Sequence, residues 1–185
     1  MRLCPILGLP GAGKTTLAIE LVSANSFVRV SAGDWLRERM RTGDVSVREQ
    51  LSLNAAMDRT LFQEFLNESV APYAKFPGSI VIDGSPRIKS QVEWLSESLQ
   101  SWVDVRVVGI HLTTPPELAL QRLTARPPRY GDSEIIPHAE RISREEASLR
   151  ATLNEFSDHW PLLTVEASCG SLEICGRVQE LLAHF

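Results

Sequence analysis

Short apolar runs alternate along this chain with stretches whose apolar residues recur every three or four positions, the pattern of strands interleaved with amphipathic helices. Leu3 to Leu7 reads as a first strand, and Lys14 to Ser23 as a helix with Leu17, Ala18, Leu21 and Val22 at helical spacing. Phe27 to Val30 reads as a short second strand, and Asp34 to Arg41 as a helix stopped by Thr42-Gly43. From Ser46 to about Tyr73 the pattern is helical throughout, with Met57, Leu61, Phe62 and Phe65 on an apolar face spread over two helices.

Pro77-Gly78 ends that stretch, and Ser79 to Ile82 is a continuous apolar run suited to a buried central strand that finishes on Asp83. A helix from about Ser90 to Leu99, a strand from Val103 to Leu112 and a helix from Glu117 to Thr124 follow, the last opened by Pro115-Pro116 because proline is tolerated in a first turn. Arg126 to Asp132 packs two prolines and a glycine into seven residues and must be loop. A long polar helix from about Pro137 to Phe156, a strand from Leu162 to Val165 and a helix from Leu172 to Leu182 complete the pattern. The expected fold class is α/β: a three-layer αβα sandwich on a five-stranded parallel sheet, formed by residues 1-185 as one domain.

Composition agrees with this and narrows the partners. The 185 residues are 43% hydrophobic and 23% charged, enough for a core without disulfides or structural metal. A net charge of -4 carries no electrostatic footprint for nucleic acid. Cys4, Cys169 and Cys175 have the spacing of neither a zinc site nor a disulfide framework and read as free thiols. Pro5, Gly8 and Pro10 interrupt the N-terminus too early for a signal peptide, and no apolar run approaches a membrane span, so the expectation is a cytoplasmic protein; it is also expected to be a monomer. His111, His138 and His159 lack ligand spacing, and the four tryptophans read as packing residues.

The chemistry starts at Gly8-Leu-Pro-Gly-Ala-Gly-Lys14-Thr15, which matches the phosphate-binding loop at every fixed position, directly between a predicted strand and a predicted helix. Glycines let successive N–H groups turn inward around a triphosphate, and the helix start adds its dipole. Gly11, Ala12, Gly13, Lys14, Thr15 and Thr16 are therefore candidate ATP-binding residues. Lys14 would follow the transferring phosphoryl, and Thr15 would place a hydroxyl on Mg²⁺. Asp83, at the carboxyl edge of its strand beside this loop, is a second candidate for Mg²⁺, directly or through water.

Two further segments carry phosphate chemistry. Ser31-Ala-Gly-Asp-Trp-Leu-Arg37 and Asp83-Gly-Ser-Pro-Arg87, with Gln91 four residues on, each end in an arginine whose planar guanidinium can pair two phosphate oxygens. With the phosphate loop, these segments resemble the nucleoside monophosphate kinases typified by adenylate kinase, and the resemblance spans most of the chain. It implies a P-loop NTPase fold with a helical monophosphate-binding insertion at about 31-75, in which Ser31, Arg37, Gly84, Arg87 and Gln91 bind the acceptor. Arg122-Leu-Thr-Ala-Arg126 resembles the start of that family's lid, and Arg129 and Asp132, then Arg141, resemble the rest. The resemblance implies that Arg122 and Arg126 contact ATP and that Arg129 and Arg141 act with Lys14 and Arg87 on the transferring phosphoryl. Arg144 is an outside candidate because it shares a helix face with Arg141.

The chain also departs from the family. Ser85 stands where phenylalanine usually packs near the acceptor base, which predicts a looser pocket. The segment between Ser52 and Phe65 has no match to the family's base-contacting stretch. The lid, about 126-137, is short and has no cysteines, and Ala32 gives the acceptor segment a form closer to UMP/CMP kinases. Gln91 offers both a donor and an acceptor, which suits an adenine edge. The implied activity is Mg²⁺-dependent transfer of the ATP γ-phosphoryl to a nucleoside monophosphate, AMP before UMP or CMP. Two alternatives stand beside it: a kinase for a small alcohol with Asp34 as the base, and an ATP-binding regulatory protein whose acceptor site has degenerated.

Overall fold

The computed structural model describes residues 1–24, 27–48, 55–127 and 136–185. Six strands form one parallel sheet: β1 (Arg2–Leu7), β2 (Phe27–Ser31), β3 (Ser79–Asp83), β4 (Arg106–Val107), β5 (Gly109–Thr113) and β6 (Leu162–Glu166). Their order is β2-β3-β1-β5-β6, with β4 also paired to β1. Arg2 opposes Arg106 and Ile6 opposes Ile110, so β4 and β5 continue in one register along the same neighbour and the sheet has five rows. The strand expected from Val103 starts three residues late. Val103 is 81% exposed, and Asp104 turns the chain with φ 56 before Arg106 enters the sheet.

Strand alternation builds two cores, one on each face. Leu3, Leu7, Ile80 and Ile82 pack on one side with Phe62, Phe65, Val92 and Phe156. Cys4, Ile6, Val81 and Ile110 pack on the other with Leu17, Leu21, Ile174 and Val178. The second face is covered by α1 (Lys14–Ser23) and by the last helix, α7 (Ser171–Leu182). The first is covered by α3 (Arg59–Phe65), α4 (Lys89–Leu99) and α6 (His138–His159), while α5 (Pro116–Ala125) meets α6 over Leu9, Ala119, Leu123 and Ile142. Cys4, Cys169 and Cys175 are all free, and burial pushes the Cys4 thiol up to about 12.

The stretch between β2 and β3 is mostly helical but not continuous. Helix α2 (Ala32–Arg41) starts two residues earlier than expected because Ser31 caps it, accepting from the Asp34 N–H at 3.2 Å. Residues 49–54 of the expected helical run lie outside the described residues. Ala55 to Asp58 is irregular, and Asp58 caps α3 by accepting from the Leu61 N–H at 2.9 Å. A π-helical turn, Leu66–Val70, and a 3₁₀ turn, Ala71–Tyr73, finish the run, since Pro72 has no N–H to extend the α-ladder. Trp35 locks α2 to this run: its indole N–H donates to Glu68 at 2.8 Å and its ring meets Phe65 edge-on.

Candidate active site

Because all strands are parallel, Leu7, Ser31, Asp83 and Thr113 end on the same edge of the sheet, and a cavity of about 490 Å³ opens there. One end is the loop from Gly8 to Thr15. Gly11 has φ +84 and passes so close to α5 that a Cβ would stand 2.1 Å from the Ala119 carbonyl oxygen, so only glycine fits. Gly13, at φ 95, starts α1 with no side-chain cap, leaving first-turn N–H groups to face the cavity. The Lys14 ammonium folds along the loop and donates to the carbonyls of Gly8 at 2.6 Å and Leu9 at 2.7 Å. Burial lowers its pKa to about 8, against the opposing pull of Glu145 and Asp83. Thr15 and Thr16 line the same end.

Asp83 is 4% exposed at the cavity wall. Arg29, on β2, holds its Oδ2 through Nη2 at 2.8 Å and Nε at 3.3 Å, and pairs with Asp34 through Nη1 at 2.8 Å. Asp34 in turn accepts from Arg37 at 2.6 Å. Sequence reading passed over Arg29; the available signal was a charged residue in the middle of an otherwise apolar strand. Burial pushes the Asp34 carboxyl up, but the pairs with Arg37 and Arg29 outweigh it and hold the group below its usual range. A carboxylate so held is a poor base, and Asp34 is not among the residues lining the cavity.

Arg87 faces Lys14 from the loop after β3 and is secured on several sides. Its Nη2 donates to Glu145 at 2.6 Å and its Nη1 to the Ala55 carbonyl at 3.1 Å. Its own backbone carbonyl accepts from Thr152 at 3.2 Å, and its N–H donates to Gln91 Oε1 at 2.8 Å. Gln91 is fully buried, and its Nε2 donates to the Met57 carbonyl at 3.0 Å. Gln91 thus bolts the Arg87 loop to the Met57 segment, and it also lines the cavity. Ser85 differs from the expectation of a looser pocket. Its side chain is 1% exposed, donates to Gln91 Oε1 at 3.4 Å and does not line the cavity, so it packs behind the wall instead of widening the pocket.

Of the remaining candidates, Ser31, Arg37 and Gly84 line the side nearer α2 and β3, Arg122 and Arg126 the side nearer α5, and Arg141 lines the cavity from α6. Arg129 and Asp132 lie outside the described residues, as does most of the expected lid. Arg144 does not line the cavity; its side chain is 61% exposed and pairs with Glu140. The position one full turn after Arg141 is Glu145, which sequence reading did not single out and which does line the cavity. His111 is kept below its usual pKa by burial and takes no part in the lining.

A parallel sheet with a glycine loop and lysine at its carboxyl edge defines a P-loop nucleotide-binding protein, and comparison with known proteins makes it a phosphotransferase. A family model described as an AAA domain matches residues 7–138, more than half of the chain. The chain is 30% identical over 142 residues to an adenylate kinase of Prochlorococcus marinus (strain MIT 9515), covering 75% of this chain and 76% of the relative. It is 27% identical over an alignment of 212 residues to an adenylate kinase of Salinibacter ruber (strain DSM 13855 / M31), covering 98% of each. A third adenylate kinase, from Parasynechococcus marenigrum (strain WH8102), is 28% identical over 181 residues, covering 96% of each. The chain belongs to the adenylate kinase-like nucleoside monophosphate kinase family. Among the described residues no helix is long and apolar enough to cross a membrane.

Proposed function

We propose that this phosphotransferase moves the γ-phosphoryl of ATP to a nucleoside monophosphate, with AMP the preferred acceptor and UMP or CMP next. The observation that carries the reading is the meeting of a P-loop lysine, Lys14, with Arg37, Arg87 and Arg141 from three other segments in one cavity. One cation beside a P-loop serves any bound triphosphate. Cations on the opposite wall suit an acceptor that is itself a phosphate. The relatives' name, adenylate kinase, supports adenylate as that acceptor.

In this reading the loop amides and Lys14 hold the donor phosphates, Arg37 and Arg87 hold the acceptor phosphate in line, and Arg141 neutralises charge as the phosphoryl crosses. Arg122 and Arg126 lie toward the donor, and Arg129 joins them from the lid. The acceptor phosphate is already anionic, so no base is required, and the tied-down Asp34 argues against an alcohol acceptor. The buried Asp83 carboxylate, with one oxygen held by Arg29, and the Thr15 hydroxyl form an oxygen donor set suited to Mg²⁺. When bound there, the ion would supply positive charge to the bridging phosphates. Segments 31-75 and 126-137 are the acceptor insertion and lid of the same proposal.

The test is ADP formation from ATP and Mg²⁺ across AMP, UMP, CMP and GMP, run beside a set of small alcohols. AMP-dependent turnover is expected. Turnover with an alcohol and with no monophosphate overturns the reading.

A further inference from the structure

A cavity built for phosphates contains a carboxylate that phosphate transfer does not require. Helix α6 presents Arg141, Glu145, Ser148 and Thr152 along one stripe, at spacings of four, three and four. The Thr152 and Ser148 hydroxyls reach the Arg87 carbonyl at 3.2 and 3.5 Å while sharing their protons with the helix carbonyls of Ser148 and Glu145 at 2.9 and 3.2 Å, so this stripe lies against the Arg87 loop. Glu145 Oε1 then takes two guanidinium groups at once, Arg87 Nη2 at 2.6 Å and Arg141 Nε at 3.3 Å. The three side chains are only 20–26% exposed, so solvent screens these pairs weakly. Among the charges acting on Lys14, Glu145 is the strongest.

One carboxylate oxygen bridging two guanidiniums occupies the donor set that an acceptor phosphate oxygen would take. We propose that Glu145 determines acceptor specificity. Its carboxylate holds Arg87 and Arg141 as an internal counterion, and only a dianionic terminal phosphate displaces it. A phosphodiester or an uncharged hydroxyl compound brings too little charge to compete and meets arginines already satisfied. The inference deepens the proposed function and rests on its assignment of Arg87 and Arg141 to phosphate.

The experiment is titration calorimetry of wild type, Glu145→Gln, Arg87→Ala and the double variant, with inorganic phosphate and with AMP as probes. A non-hydrolysable ATP analogue is held saturating, so that the P-loop is not the site being read. Glutamine keeps the shape and removes the competing charge. Phosphate should bind Glu145→Gln about tenfold more tightly than wild type, in line with the worth of a charged hydrogen bond. The gain should vanish in the double variant, because it acts through Arg87. In turnover, the monophosphate KM of Glu145→Gln should fall in parallel.

Equal or weaker phosphate binding by Glu145→Gln overturns the proposal, as does a gain that survives the loss of Arg87. A fall in kcat with KM unmoved also overturns it, because Glu145 would then act in the reacting complex. If Glu145→Gln unfolds at the assay temperature, Glu145→Asp, which keeps the charge but shortens its reach to the arginines, must bind phosphate with an affinity between wild type and the tenfold gain expected of Glu145→Gln, or the idea is lost. Failure of all four monophosphates in turnover refutes the proposed function by itself. The phosphate titrations still decide the role of Glu145.

Discussion

The two ends of the cavity are built in different ways. At the end proposed to take the donor, one contiguous segment, Gly8 to Thr16, supplies the lysine, the hydroxyls and the start of α1. At the end proposed to take the acceptor, Arg37 comes from α2, Arg87 from the loop after β3, Ala55 and Met57 from the irregular stretch before α3, and Arg141 and Glu145 from α6. The donor end is held by backbone geometry, since Gly11 leaves no room for a Cβ. The acceptor end is held by side-chain bonds, through Gln91, Thr152 and Glu145. A phosphate loop is therefore robust to change around it, whereas acceptor choice depends on many separately replaceable contacts.

This contrast predicts where substitutions act. Lys14→Met should lower ADP formation by about 10³-fold, about 4 kcal/mol in the barrier, because a preorganised cation is lost from the transferring phosphoryl. Activity within tenfold of wild type breaks the donor assignment. Arg87→Ala should lower kcat/KM for the monophosphate by about 10²-fold while the KM for ATP stays within about twofold. An equal loss of ATP affinity means that the two ends are not separable.

Acidity gives a third, smaller effect confined to the donor end. With its pKa lowered by burial to about 8, Lys14 is charged below pH 8 and neutral above it, whereas in the unfolded chain it stays charged to its ordinary value of 10.5. Two consequences follow by linkage. Folding stability gains from this group as pH rises from about 8 toward 10.5, since the unfolded state then holds the extra proton. ATP binding requires the ammonium, so its affinity should be flat below pH 8 and weaken by up to about tenfold at pH 9, with proton uptake visible in calorimetry across buffers. An ATP affinity unchanged between pH 7 and 9 removes this account of Lys14.

The smallest change tests the acceptor scaffold alone. Thr152→Val removes one hydrogen bond to the Arg87 carbonyl and should cost about 1 kcal/mol of stability, a melting shift of a few degrees. The monophosphate KM should rise a few-fold and the ATP KM should not move. A variant that shifts both would place α6 in support of the whole cavity.

How well each region could be read follows the same division. The phosphate loop was legible because its residues are neighbours in sequence and each has a local reason to be there. The strands were legible by their apolar runs; the run expected from Val103 to Leu112 was misplaced at its start, where an apolar residue stands exposed ahead of the turn at Asp104, and is broken at Val108 into β4 and β5. Arg29 and Glu145 were missed because each gains its meaning from a partner 54 or 58 positions away. Gln91 was legible as a residue that matters, but both ends of its amide are used by Arg87 and Met57 inside the protein.

The sequence by itself determined the sheet, the phosphate loop and the arginines facing it, because strand periodicity, glycine conformation and guanidinium chemistry are properties of short segments. Tertiary structure alone decided which charges meet. It tied Asp83 to Arg29, closed Gln91 against the Arg87 loop and set Glu145 between two arginines, because an ion pair depends on distance in space, and that distance is fixed only once the helices have packed against the sheet.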